Sequence, residues 1–219
     1  MKTKTVLIIV LSVGLIMLVA STLLSRQMGA NLATHWNAAG EADGYGGTFM
    51  GLYLIPIITI VMTGFLLFVP NIDPLKANIV SFRSEYNLFV VFFAGFMFYV
   101  HSLTVAWNIG LQFSMNSLLI PAMGVFFILT GRMIGKAKRN FFIGIRTPWT
   151  LANDEVWNKT HQLGGKLFVA SGLLTAASII YPPAAIWVLL TTSIGAAIIS
   201  TAYSFVVFRE IERKIGDLK

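Results

Sequence analysis

Apolar residues run along this chain in long blocks separated by short polar stretches. A membrane-spanning helix needs roughly 20 mainly apolar residues. Six blocks meet or approach that length: Thr5–Leu24, Phe49–Val69, Leu88–Ile109, Ser117–Ile134, a stretch ending at Tyr181, and Ala184–Phe208. The pattern predicts an all-α integral membrane protein with six transmembrane helices. The first block follows Lys2 and Lys4 as a signal peptide would, but its apolar run is too long and no A-x-A site follows. It therefore reads as an uncleaved helix. Pro56 is expected to kink the second helix, and Pro121 to sit in the first turn of the fourth, where proline is tolerated. Tyr181-Pro182-Pro183 predicts a tight hairpin between the last two helices.

The fifth block carries a sharper inference. Leu167–Tyr181 has only 15 residues. At 1.5 Å per residue it reaches about 22 Å, short of the ~30 Å hydrocarbon layer. The helix must begin earlier. Asn153 is a good N-cap and is followed by Asp154 and Glu155, which suit the positive end of a helix dipole. Asp154–Tyr181 is thus predicted as one helix, with Lys166 snorkelling to the interface and Gly164-Gly165 as its weak point. Trp157 and His161 then lie at i and i+4 on one face.

Composition agrees with a membrane class: 56% of the 219 residues are hydrophobic and 11% charged, against about 25% charged in soluble domains. The net charge of +7 is not a nucleic-acid patch, because its distribution follows topology. With the N-terminus in the cytosol, the inner side collects Lys2, Lys4, Lys76, Arg83, the cations from Arg132 to Lys166, and Arg209, Arg213, Lys214 and Lys219. Only Arg26 of the 16 Lys and Arg residues falls outside. The positive-inside rule therefore places both termini in the cytosol, and the lipid bilayer, with its anionic headgroups, is the default partner. A two-helix unit at 1–70 with an outer loop at 25–48, followed by a four-helix unit at 71–219 with a cytosolic loop at 135–166, is the expected organisation.

Chemistry-bearing residues fall on three levels. The outer loop "NLATHWNAAGEADGYGGT" holds His35, Trp36, Asn37, Gly40, Glu41 and Asp43. His35, Glu41 and Asp43 match no established metal spacing, so a solvated loop is the ordinary reading, with Trp36 as an interfacial anchor. Within the membrane His101 is the only ionisable residue, a candidate site by default. The plainer alternative is a neutral histidine hydrogen-bonded in the bundle, with Asn108 and Thr104 on its face as partners. Gly131 and Gly135 permit close helix packing. On the inner side Thr147 as N-cap and Pro148 at N1 start a short helix. Arg146, Trp149 and Trp157 there form a candidate cation–π cluster. It is either a partner surface or an aromatic belt that fixes helix depth.

There is no H-E-x-x-H, G-x-S-x-G or P-loop, and there are no paired intramembrane carboxylates and no cysteines. No enzyme, cofactor, metal site or direct nucleic-acid binding is expected. A small-solute transporter or channel centred on His101, or a purely structural membrane partner, remain as alternatives.

The segment "GRMIGKAKRNFFIGIRTPWTLANDEVWNKTHQLGGKLF", Gly131 to Phe168, resembles the signature of the SdpI family of bacterial multipass membrane proteins. The matching positions are Gly131, Asn140, Gly144, Ile145, Arg146, Thr147, Pro148, Trp149, Thr150, Leu151, Trp157, Thr160 and His161. The outer "HWNAAGEADGYGG" resembles the loop of the uncharacterised N-terminal domain that accompanies that family. The resemblance implies immunity against a secreted toxic peptide. For the founding member it also implies signalling, by holding a small cytosolic repressor at the membrane. On that reading His35, Trp36, Asn37, Gly40 and Asp43 face a toxin peptide. Asn140, Gly144, Arg146, Thr147, Pro148, Trp149, Thr150, Trp157 and His161 then form a cytosolic partner surface or a structural collar.

Overall fold

A computed structural model describes residues 1–217, so the inner cation Lys219 lies outside the described residues. Helix α1 (Thr3–Ser25) leads into a β-hairpin, β1 (Leu32–Trp36) and β2 (Ala42–Gly46), then a π-helical turn (Phe49–Tyr53) that runs into α2 (Leu54–Ile72). A short α3 (Lys76–Ser81) precedes α4 (Arg83–Asn108), and α5 (Met115–Ile134) follows. The segment 135–153, here called the collar, contains the one-turn helix α6 (Pro148–Ala152). Helix α7 (Asp154–Ala177) ends in a 3₁₀ turn (Ser178–Ile180), and α8 (Pro182–Gly216) closes the chain. Six of these helices are long and apolar enough to cross a membrane, and the chain is a multi-pass membrane protein. The hairpin and the collar sit at opposite ends of the bundle.

The helices bury one face against each other and expose an apolar face outward. In α1, Val6 and Met17 are fully buried while Ile8, Leu15 and Leu23 are more than 60% exposed. Such exposure suits contact with lipid, not water. Helix α1 packs on α2 and α4; α5 packs on α7, and α7 on α8. A continuous core joins Val6, Val69, Tyr86 and Val90 to Met133, Ile143 and Trp157 at the collar end.

Two prolines explain two polar contacts. Proline lacks an N–H, so it frees the carbonyl four residues before it, and in hydrocarbon such a group must find another donor. Pro56 frees Leu52, whose carbonyl accepts from Ser21 Oγ at 2.7 Å. Pro70 frees Leu66, whose carbonyl accepts from Tyr86 Oη at 2.6 Å. Pro56, expected to kink the second helix, stands at the third position of α2, just after the π-helical turn. Pro121 is not in the first turn of α5: the helix starts at Met115, two residues before the expected start, and places it in the second turn. Tyr86→Phe is expected to destabilise the protein by about 1–3 kcal/mol, the cost of stranding a buried acceptor. In a Pro70→Ala background the same change should cost much less, because residue 70 then donates to Leu66. Thermal unfolding of the four proteins in one detergent reads this cycle.

Glycines set the α5–α7 seam. A β-carbon on Gly131 would lie 2.6 Å from the Gly165 carbonyl oxygen, and one on Gly165 would lie 2.7 Å from that of Gly131. Seven residues on, Gly124 and Gly172 oppose each other in the same way. Helix α7 runs unbroken through Gly164-Gly165, the expected weak point. Both glycines are buried there because Gly165 meets α5 while Gly164 meets Ser200 of α8.

Candidate functional site

At the hairpin end, the HWN segment folds back on itself around one side chain. Asn37 Oδ1 accepts from the Ala39 N–H at 2.8 Å and the Glu41 N–H at 3.1 Å, which closes the turn. Gly40 adopts φ 81°, a left-handed conformation that favours glycine. Its carbonyl accepts from the Met115 N–H at 3.2 Å. The hairpin is thereby docked on the ends of two helices. Asn108, at the end of α4, mimics a neighbouring strand: its Oδ1 accepts from the Ala33 N–H at 2.8 Å and its Nδ2 donates to the Ala33 carbonyl at 3.0 Å. Asn116, at the start of α5, donates to the carbonyls of Asn37 and Ala38 at 3.2 and 2.7 Å. Trp36 packs edge-on against Trp107, ring centroids 5.9 Å apart.

The five predicted toxin-facing residues thus divide by task. Asn37 and Gly40 hold the turn, and Trp36 is half-buried on α4. His35 and Asp43 pair with each other on the exposed surface. Glu41 instead meets Asn37 Nδ2 at 3.3 Å, so the three ionisable residues of the loop do not converge. Beside the hairpin tip lies a cleft of 260 Å³ between Ala38, Ala39, Ser114, Asn116, Ile179 and Pro183. It joins the hairpin to the Tyr-Pro-Pro turn.

Below the hairpin, His101 is 3% exposed. Its Nε2 lies 3.1 Å from Ser21 Oγ. Ser21 gives its proton to the Leu52 carbonyl, so His101 donates to Ser21 through Nε2–H. The chain His101–Ser21–Leu52 crosses α4, α1 and the π-turn. This corrects the expectation that Thr104 and Asn108 are its partners. Thr104 bonds back to the Val100 carbonyl at 3.0 Å, and Asn108 is committed to Ala33. Ser21 lies on another helix, so the spacing of polar residues along α4 carries no sign of it.

At the collar end, Asn140 is fully buried and serves the chain around it. Its Oδ1 accepts from the N–H groups of Phe142 and Ile143 at 3.0 and 2.6 Å. Its Nδ2 donates to the carbonyls of Lys138 and Ile143 at 2.8 and 3.0 Å. Thr147 caps α6 in a capping box with Thr150, and Asn153 caps α7 through Glu155 and Val156, both as the sequence predicts. Trp157 and His161 stack with centroids 3.9 Å apart. Trp157 Nε1 donates to the Ala137 carbonyl at 2.8 Å. His161 Nδ1 faces the Trp157 carbonyl at 2.8 Å and Nε2 accepts from the Ile145 N–H at 3.0 Å. Those two contacts require a neutral imidazole with its proton on Nδ1. Gly144, at φ 112°, passes so close to His161 that a side chain would collide with the ring.

The predicted Arg146–Trp149–Trp157 cluster does not form. Trp157 is fully buried on His161, Trp149 packs on Phe205 of α8 at 5.1 Å, and Arg146 donates to the Phe141 carbonyl at 2.9 Å. Trp157 sits on α7 in the buried core, while Arg146 and Trp149 belong to the collar. Among the signature residues, Arg146 and Pro148 remain exposed. Sequence reading passed over Asp73. This carboxylate is 2% exposed, accepts from the Leu75 N–H at 2.6 Å and from the Phe141 N–H at 2.8 Å, and so ties the end of α2 to the collar. Asp73-Pro74 after an apolar block was its one local signal. Asn78 and Ser204 add two more ties, to the Arg139 carbonyl and to Thr147 Oγ1.

Residues 136–204 match the SdpI/YfhL protein family, and residues 13–60 match a domain of unknown function, DUF1648. "Immunity protein SdpI" of Bacillus subtilis (strain 168) is 23% identical over 163 residues, which covers 73% of this chain and 75% of the relative. No solved structure matches. The family match takes in the collar, α7 and most of α8, and the DUF1648 match takes in the hairpin. The collar and the two helices behind it are thus the part of the chain that matches the SdpI/YfhL family, and the docked hairpin is the part that matches DUF1648.

Proposed function

We propose that this chain is a membrane immunity protein that protects its cell from a secreted toxic peptide. The observation that carries the reading is its similarity, across three-quarters of both chains, to a relative named as an immunity protein. The distribution of Lys and Arg supports an orientation with the collar and both termini in the cytosol and the hairpin outside. A toxin peptide then meets the exposed His35–Asp43 pair and the cleft between the hairpin tip and the Tyr-Pro-Pro turn. The cleft is framed by both matched regions, which suits a site that needs both.

Helix α7 links that cleft to the collar, because it runs from Asn153 to the turn that lines the cleft. Occupation of the cleft would reach the collar only if it biased two arrangements of α7. Signalling to a small cytosolic repressor is the second reading. The observation that favours it is the length of α8: 35 residues, about 52 Å, outlast the ~30 Å hydrocarbon layer. It continues beyond Phe205, which packs on Trp149 of the collar, where Arg146 and Pro148 are exposed.

The test is toxin challenge of a sensitive bacterium that expresses the chain. Expression is expected to protect against one member of a toxin panel. Ala39→Trp, which fills the cleft, should remove protection at unchanged folded yield, while a folded His101→Ala should still protect. A single cysteine at Ala42, labelled in intact cells by an impermeant reagent, checks the orientation in the same strain. Protection lost in folded His101→Ala but kept in Ala39→Trp would move the reading to a conduit centred on His101.

A further inference from the structure

The lipid-facing side of the α5–α7 seam carries a charged groove that the reading above does not use. It encloses 510 Å³. Arg132, Lys136 and Lys166 line its mouth beside Gln162, and Val169 and Leu173 line its apolar floor. The missing side chains of Gly131, Gly135 and Gly165 make it concave. Lys136 is paired with Glu85 at 2.8 Å. Arg132 and Lys166 have no ion-pair partner among the described residues.

Depth makes those two cations costly. Counted from the hairpin-end limits of their helices, Met115 and Ile180, Arg132 is rooted about 26 Å and Lys166 about 21 Å into the bundle. A hydrocarbon layer of ~30 Å that begins at those limits takes in both roots. The side chains must snorkel to the interface or meet a counter-charge. A phosphodiester supplies that charge, and an acyl chain attached to it covers the apolar floor. A free phosphate would use the cations and leave the floor bare.

We infer that the α5–α7 groove is a specific site for an anionic phospholipid. Arg132 and Lys166 hold its phosphate, Lys136 flanks it, and one acyl chain lies along Val169, Ala170 and Leu173. This site is independent of the toxin, and its test does not involve toxin. Purified full-length protein in detergent is mixed with phosphatidylglycerol, phosphatidylcholine or inorganic phosphate. Retained lipid is read by native mass spectrometry and stability by thermal unfolding. Phosphatidylglycerol is expected to be retained roughly tenfold better than phosphatidylcholine, in keeping with two cations at the interface. The preference should vanish in Arg132→Gln/Lys166→Gln and persist in Arg209→Gln/Arg213→Gln, which removes the same charge from α8. Ala170→Trp keeps every cation and blocks the floor, so it should also lose the lipid even if the double variant fails to fold. Equal loss in both charge variants, equal retention of the two lipids, undiminished retention by Ala170→Trp, or stabilisation by phosphate equal to that by lipid would each overturn the site.

Discussion

Trp157→Ala is expected to destabilise the protein by about 3–5 kcal/mol, the usual cost of emptying a buried tryptophan site. The indole is fully buried, stacks on His161 and donates to the Ala137 carbonyl. Its loss opens a cavity and frees the His161 ring. That ring then holds the Ile145 N–H less firmly, so the turn at Gly144 loosens as well. Trp157→Phe separates the terms. It keeps an aromatic face for His161 but strands the Ala137 carbonyl, for about 1–3 kcal/mol. Thermal unfolding in one detergent should therefore rank wild type, Trp157→Phe and Trp157→Ala in that order. Equal melting of Trp157→Ala and wild type would show that the collar is not held by this side chain.

The second large effect belongs to the α5–α7 seam. Gly165→Val is expected to destabilise by more than the 1–3 kcal/mol typical of an overpacked core. Its β-carbon meets the Gly131 carbonyl oxygen at 2.7 Å and the Gly135 Cα at 2.8 Å. Both are backbone atoms, which cannot rotate away, so the helices must separate and lose contacts along their length. Gly195→Ala is the control, because a β-carbon there meets nothing within 4 Å. It should be neutral or stabilising by up to about 1 kcal/mol, the helix propensity gained. A disulfide between cysteines placed across the seam, formed in the control and not in Gly165→Val, would report the separation directly.

These contacts show what a chain displays of itself and what it hides. The spans, the Tyr-Pro-Pro turn, the caps at Thr147 and Asn153 and the shared face of Trp157 and His161 were legible because each depends on neighbours within a few residues. His101 was read with Thr104 and Asn108, the polar groups of its own helix, while its partner Ser21 lies 80 residues away. Asp73 drew no notice because its second acceptor bond comes from Phe141, 68 residues on. Half of the seam was visible in Gly131 and Gly135, but their meaning needed Gly165 across the gap. The strands of the hairpin were invisible for another reason. Ala42–Gly46 has two glycines and little strand propensity, and Asn108, not a third strand, satisfies the free edge at Ala33.

The proline-freed carbonyls bear on how the protein is made. A ribosome delivers α1 first, so the hydroxyl of Ser21 is already in place when the Leu52 carbonyl enters the bilayer. The Leu66 carbonyl has no such welcome. Its donor, Tyr86, belongs to a helix not yet synthesised, and until α4 arrives one peptide group of α2 faces hydrocarbon unpaired. Helix α2 is thus a provisional guest beside α1, and the first three spanning helices mature as a set only when the third has been threaded through.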